Sequence, residues 1–501
     1  MTLIDVKKHH HLLPATPRVN KALIGGTWHE SGEWMERSSP AHEIPVSKTV
    51  AGTAAMVDQA VAAARAAFDG TSWKRLYAGE RAAILGKAAE LIRARAEELA
   101  LWDVLESGKP ISQALDEVAG AADLWDYAAA LTRTLTGESH NTLGPDTLAM
   151  VLHEPVGVVG IITPWNFPFL IISQKLPYAL AAGCAVVMKP SEFTPSSTTI
   201  LCEILAAAGL PDGVVNMVPG TGDPVGAALT AHGGVDMISF TGSTAVGKAT
   251  VAASAGNLKK VSAELGGKNP AIVFADADLD EAADALVMGA VFNAGQCCVG
   301  SSRLLVEKPV AEAFTAKVVD LMTHLRVGDP LDEATQIGPI VNARQHHRIM
   351  QYIETGNRKA RLRTQAPETA AQGLFVYPHV FDRVSPGMDL ARDEIFGPVL
   401  SVIEFSGVDE AVRIANDTSY GLSSAVWTGS VDTALRMVRG IEAGTVWVNT
   451  YLEGPAELPF GGFKQSGLGR ENGKAAIEEY TELKTVVLRT GPRPARYVQL
   501  R

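Results

Sequence analysis

The sequence predicts an α/β protein with two parallel-sheet domains, each covered by helices, and a small separate β lobe. Three observations carry this. The 501 residues are 47% hydrophobic and 20% charged, an ordinary globular balance with ample core for two or three domains. From residue 156 to about 266, short β-branched runs alternate with helical segments, which implies right-handed βαβ units. A second alternating series starts at Asn269 and runs to about 466.

In chain order, residues 20–35 read as a hairpin, with Gly25-Gly26 at the turn. Ala/Leu/Ile spacing then predicts helices near 55–69, 80–106 and 111–132. Turn residues follow from 136, and 147–153 is a lone β stretch outside the alternation. The first series comprises strands 156–162, 185–189, 214–218, 235–240 and 260–265. Helices 169–182, 194–208, 223–231 and 243–254 separate them. The second series has strands at 269–274, 303–306, 399–405 and 445–449. A further isolated strand spans 482–489. The domains are therefore drawn as 1–135 with 156–266, then 267–466, with 136–155 and 467–501 forming the lobe and C-terminal segment. Isolated strands need partners and bare edges invite pairing between chains, so the lobe predicts a homodimer or homotetramer.

Lys and Arg number 44 against 55 Asp and Glu, a net charge of −11, which argues against nucleic acid or an anionic membrane surface as a partner. No apolar run reaches the ~18 residues needed to span a bilayer. The N-terminus lacks an apolar signal segment. The four cysteines, Cys184, Cys202, Cys297 and Cys298, have no framework spacing, which is the usage of a reducing compartment and predicts a cytoplasmic protein. No metal is expected. The triplet His9-His10-His11 has no partner ligand at a useful spacing.

Three segments carry chemistry. Cys297 and Cys298 follow Gly295-Gln296, between a helical segment and a Gly-Ser-Ser turn. Cys184 and Cys202 sit in apolar runs and read as core. The pair at 297–298 is either a reactive thiol site or, like the other two, buried packing, and the residues alone leave open which of the two would be the nucleophile. Glu264 ends a strand beside Leu265-Gly266-Gly267 and is either a base facing a cleft or a solvated strand end. Asn166, in Pro164-Trp165-Asn166-Phe167-Pro168, is either a rigid amide for an oxyanion or the N-cap of the next helix.

A dinucleotide site is signalled less directly. No G-x-G-x-x-G follows the first strand of the series; Gly220-Thr221-Gly222 and Gly467-Leu468-Gly469 each lack the third glycine. Instead, Phe240 to Gly247 (FTGSTAVG) follows a strand and opens a helix, so that a pyrophosphate can approach backbone N–H groups. Lys189-Pro190-Ser191-Glu192 places a carboxylate at a strand end, where it can bind a ribose 2′-hydroxyl and repel a 2′-phosphate. The alternative is an ordinary surface ion pair.

Taken in order, PWNFP (164–168), KPSE (189–192), FTGSTAVG (240–247), ELGGK (264–268), GQCC (295–298), EIFGPV (394–399) and PFGGFKQSGLGRENG (459–473) resemble the aldehyde dehydrogenase superfamily. The resemblance covers residues 20 to 490. It implies an aldehyde dehydrogenase-like fold, two Rossmann-type domains with a β oligomerisation lobe, and NAD as cofactor. It makes Cys298 the nucleophile, Glu264 the general base, and Asn166 with the Cys298 N–H the oxyanion hole. Lys175 and Glu471 would assist proton movement. The implied cofactor residues are Ile162, Thr163, Pro164, Trp165, Lys189, Ser191, Glu192, Gly222, Phe240, Gly242, Ser243, Val246, Gly247, Leu265, Glu394 and Phe396. A base at 264 favours hydrolysis over acyl transfer to coenzyme A.

The tail from Gly454 to Gly473 is similar to betaine-aldehyde and trimethylaminobutyraldehyde dehydrogenases, which hold a cationic head among aromatic and acidic groups. Phe167, Tyr451, Glu453, Glu457 and Phe460 are the counterparts expected here. Gln174 departs from that pattern, since many relatives carry a Trp there, and one aromatic wall is lost. The expected substrate is a small-molecule amino- or trimethylammonio-aldehyde; other small aliphatic, aromatic or semialdehyde substrates are the alternative. A thioester-forming esterase or a non-catalytic member of the fold would share these motifs.

Overall fold

The computed structural model describes residues 10–30, 32–70, 73–365 and 373–492. Two parallel sheets organise them. The first runs, edge to edge, Gly467–Leu468, Lys260–Glu264, Met237–Thr241, Val158–Ile162, Ala185–Lys189, Val215–Met217, Ala22–Ile24, Thr27–His29. Its five central strands are parallel, and the N-terminal hairpin and Gly467–Leu468 close its edges antiparallel. The central five bury nearly every side chain, as strands covered on both faces must. The chain begins at Val158–Ile162, steps outward one way, then returns to the other side at Met237–Thr241. That reversal is the topological switch point, and the crevice beyond the carboxyl ends of these two strands is where such sheets take ligands.

The second sheet begins at Asn269–Val273, flanked by Ser301–Glu307 and Ser423–Trp427. Val399–Phe405, His379–Asp382 and Arg361–Leu362 extend it one way, and Thr445–Val448 the other. All are parallel except Arg361–Leu362. Each sheet has its own core. Cys184 and Cys202 lie buried in the first, as core cysteines, and burial pushes both thiols up.

The isolated strands find each other. Thr481–Arg489 pairs antiparallel with Thr147–Pro155 along its whole length, and Glu138–His140 adds a third strand. This sheet leaves Leu483, Val487 and Leu152 exposed.

Several expectations change. The helix expected over 80–106 is two, Ala78–Ala94 and Ala96–Ser107, broken at Arg95. Arg95 pairs with Glu98 and Glu203, and the second helix turns to pack on Ser196–Ala207. The helix near 223–231 is interrupted by extended backbone at Asp223. Residues 467–468 leave the lobe and join the first sheet, because Gly467 and Leu468 pair with Glu264 and Ala263. Residues 1–9, including His9 and the first part of the segment read for a signal (1–17), and 493–501 of the C-terminal segment lie outside the described residues. Among the described residues no helix is long and apolar enough to cross a membrane, and no group of three His, Cys, Asp or Glu is placed to hold a metal.

Candidate active site

The carboxyl ends of the first sheet face the amino ends of the second, and the candidate residues meet between them. Cys298 precedes strand Ser301–Glu307; Glu264 ends strand Lys260–Glu264.

The nucleophile loop is built by a helix and a strained turn. Helix Leu279–Val291 is capped by Asp278, whose carboxylate accepts the Asp280 and Glu281 N–H groups. After it, Asn293 (φ +49°), Ala294 (φ +56°) and Gly295 (φ +71°) are all left-handed. At Gly295 an added Cβ would lie 2.3 Å from the Gly397 carbonyl carbon, so no side chain fits. The turn delivers Gln296, whose buried side chain spans Asn293 O (3.0 Å) and the Val341 N–H (3.0 Å). Cys297 then packs into an apolar cluster with Phe167 and Ile171, while Cys298 is less enclosed.

Asn166 is not the N-cap of its helix; that position is Phe167, with Pro168 starting Pro168–Ala182. The Asn166 amide Nδ2 instead donates to Gln296 O at 3.0 Å, and Asn293 Nδ2 donates to Asn166 O at 2.8 Å. One Nδ2 proton remains for a ligand beside the thiol loop.

Glu264 is buried, and both its carboxylate oxygens lack a hydrogen-bond partner in the protein. Burial pushes its carboxyl well above the usual range, with Lys175 and Arg470 opposing. The Cys298 thiol is also pushed up, by Cys297, by burial, and by the carboxyls of Glu394 and Glu264. Both shifts favour the protonated forms, so forming the thiolate calls for compensating positive charge. Lys175 is buried in contact with Glu471 and donates to Ser239 Oγ at 3.2 Å. Burial pushes its ammonium down to about 7, where it can exchange protons near neutrality.

The residues expected to hold the cofactor gather at the switch point. Ile162 and Thr163 end the central strand, with the Thr163 N–H on Lys189 O. Lys189 donates to Pro190 O and Gly220 O and lies 3.9 Å from Glu192. Gly222 is exposed on the adjoining loop. Helix Thr244–Ser254 is capped by Ser243, which accepts from the Val246 N–H. A Cβ at Gly242 would reach the Phe240 ring at 2.6 Å, and one at Gly247 would reach Leu265 at 2.4 Å, so the floor is bare backbone. Val246 stands 52% exposed above it, an apolar side chain with no protein partner to cover it. From the second sheet, Glu394 accepts the Gly267 N–H at 3.0 Å and is pushed up to about 7 by its enclosure. Phe396 meets Trp165 edge-on, centroids 5.4 Å apart. Backbone donors, a strand-end carboxylate, an exposed apolar wall and a second carboxylate two residues from Phe396 are what a dinucleotide requires. Glu192→Ser should narrow the preference for NAD over NADP; an unaltered kcat/KM ratio for the two cofactors would place the ribose contact elsewhere.

A cavity of about 500 Å³ reaches Cys297, Cys298, Glu264 and Glu471. Phe167, Gln174, Tyr451, Glu453 and Phe460 line it; Asn166 and Lys175 do not, and neither does Glu457. Sequence reasoning missed Trp447, Phe292, Met288, Asp116 and Asp123, which also line it. Asp116, Gly120, Asp123 and Leu124 lie on one face of helix Ile111–Thr134, a spacing visible in the sequence but without a partner to give it meaning. Phe167 stacks on Phe292 (5.9 Å) and Trp447 meets Tyr451 edge-on (5.0 Å), so the pocket is aromatic despite Gln174.

Comparison with known proteins agrees with this geometry. The aldehyde dehydrogenase family model matches residues 28–486. Human retinaldehyde dehydrogenase 3 is 41% identical over 492 residues, 95% of this chain and 96% of that protein. A NAD-dependent aldehyde dehydrogenase from Sinorhizobium meliloti superposes with a TM-score of 0.94 at 46% identity, covering 97% of each chain. The betaine aldehyde dehydrogenase of Staphylococcus aureus, solved with NAD+, superposes with a TM-score of 0.94 at 33% identity, covering 99% of this chain and 100% of that one.

Proposed function

From the premise that the chain belongs to the aldehyde dehydrogenase family and is a NAD-dependent oxidoreductase, we propose that it oxidises an amino- or trimethylammonio-aldehyde to the carboxylic acid. The observation that supports this substrate is the pocket: five aromatic side chains with Glu453 and Asp116 among its lining. Aromatic faces and carboxylates together attract an ammonium head.

In this reading the Cys298 sulfur adds to the aldehyde carbon. The resulting oxyanion is held by Asn166 Nδ2 and the Cys298 N–H, each donor contributing about 3 kcal/mol. Bound NAD supplies the hydride acceptor. Gly242, Ser243, Lys189, Glu192 and Glu394 hold its phosphates and riboses. The thioester left on Cys298 is hydrolysed by water whose proton passes to Glu264. Lys175, near neutral pKa and in contact with Glu471, accepts the proton onward. One aldehyde and one water yield one acid; two electrons and one proton leave as hydride, and a second proton leaves through Glu264.

A second reading, a long apolar aldehyde, is favoured by the cavity's size of about 500 Å³ and by the retinaldehyde dehydrogenase relative. NADH formation across betaine aldehyde, aminobutyraldehydes, aliphatic, aromatic, polyene and semialdehyde substrates decides between them. A kcat/KM highest for the cationic members supports the first reading. Preference for the polyene or long aliphatic members overturns it.

We also place the enzyme in the cytoplasm, which its four unpaired cysteines suit. We propose that it assembles as a homodimer or homotetramer through the lobe, whose exposed Leu483 and Val487 need cover. A single monomeric species in sedimentation would overturn this.

A further inference from the structure

The geometry points to Asn269 as the positioning residue of the nucleophile. Residues 265–269 form a strap from the base to the thiol, and each is fastened. The Leu265 N–H donates to Ser466 O, and Ser466 Oγ donates to Gly266 O. The Gly267 N–H donates to Glu394, and the buried Arg303 donates to Lys268 O at 2.9 Å. At its end the Asn269 amide reaches the nucleophile itself. Nδ2 donates to Cys298 O at 2.7 Å and to Gly300 O at 3.1 Å, while Oδ1 accepts the Ser423 N–H at 3.1 Å.

Both amide protons and the oxygen are used, so the group has one orientation. It is 2% exposed, and the strand pairing is built to aim it. Register jumps from Asn269 opposite Ser301 to Pro270 opposite Arg303, a bulge, and Pro270 has no N–H to lose there. A Cβ at Gly267 would lie 2.5 Å from Cys298 O, so the strap runs directly against the nucleophile's backbone.

The Cys298 carbonyl fixes the plane of the peptide that follows the thiol. Holding it sets where the sulfur points relative to the aldehyde; the oxyanion-binding N–H lies in the preceding peptide, whose Cys297 O accepts the Gly300 N–H at 3.0 Å. Asn269 does not line the cavity that reaches Cys298 and Glu264. Its effect therefore falls on thiol addition and not on hydrolysis by Glu264 or on NAD binding.

The inference rests on Cys298 being the nucleophile. Asn269→Asp keeps the shape and replaces the donor by an acceptor; Asn269→Ser keeps a shorter donor and adds no charge. In single-turnover assays Asn269→Asp should slow NADH formation by roughly 100-fold, the scale of a misplaced reacting group. Acyl-enzyme hydrolysis and NAD affinity should stay unchanged, and Asn269→Ser should show a smaller loss of the same kind. Equal losses in acylation and hydrolysis, or unaltered acylation in both variants, would overturn the assignment. If the wild type oxidises no aldehyde, the nucleophile reading itself fails. Haloacetamide labelling then decides the clamp separately: an altered Cys298 labelling rate in Asn269→Ser supports it, and an unaltered one overturns it.

Discussion

Cys298→Ser loses nearly all aldehyde oxidation, on the order of 10⁴-fold in kcat, while NAD binds as before. The size follows from the chemistry. A serine hydroxyl is a far weaker nucleophile than a thiol, and no histidine stands among the cavity-lining residues to activate it. NAD affinity should survive because the residues proposed to hold it lie mainly at the strand ends of the first sheet and at Glu394–Phe396, and none of them is substituted. The same substitution separates the two thiols. Cys297 is packed among Phe167 and Ile171, so it cannot move to the carbonyl without emptying that cluster. Retained turnover in Cys298→Ser, measured as NADH formation, would transfer the role to Cys297.

Glu264→Gln produces a different failure. The enzyme forms NADH once per site, then releases acid slowly, with the steady-state rate down by about 10²- to 10⁴-fold. Glutamine keeps the side-chain shape and cannot take a proton from water. A burst equal to the site concentration, followed by a slow phase, is the expected trace. The pH dependence has a fixed sign. A base works as its carboxylate, and burial raises the Glu264 pKa, so wild-type hydrolysis climbs as pH rises through that raised value. The limb should vanish in Glu264→Gln. A normal steady-state rate would remove Glu264 as the base.

The α/β alternation was legible because strands buried on both faces are short β-branched runs and their helices keep a 3.6-residue period. The break at Arg95 was not, since both halves continue the same apolar spacing and the cause is Glu203, far along the chain. The lobe strands could be recognised by their isolation, yet only the structure shows that they pair with each other. Within the site, the motifs at 164–168, 264–268 and 295–298 stand out as Gly- or Pro-punctuated segments. Asn269 does not: its role depends on a bulge, and register is a property of two strands. Trp447, Phe292 and Met288 were hidden for a related reason. Each sits in a segment that reads as ordinary strand or helix, and only packing turns it toward the cavity.

The left-handed turn at Asn293 and Ala294 has a consequence for how the thiol loop is held. Alanine in that region costs about 1–2 kcal/mol, because its Cβ crowds the following carbonyl, whereas glycine has no such conflict. Ala294 is also 1% exposed within the core of the second sheet, so its methyl packs where glycine would leave a gap. The strained backbone is therefore held by that core, and the firmness of the second sheet bears directly on a loop that ends, four residues later, at the Cys298 thiol.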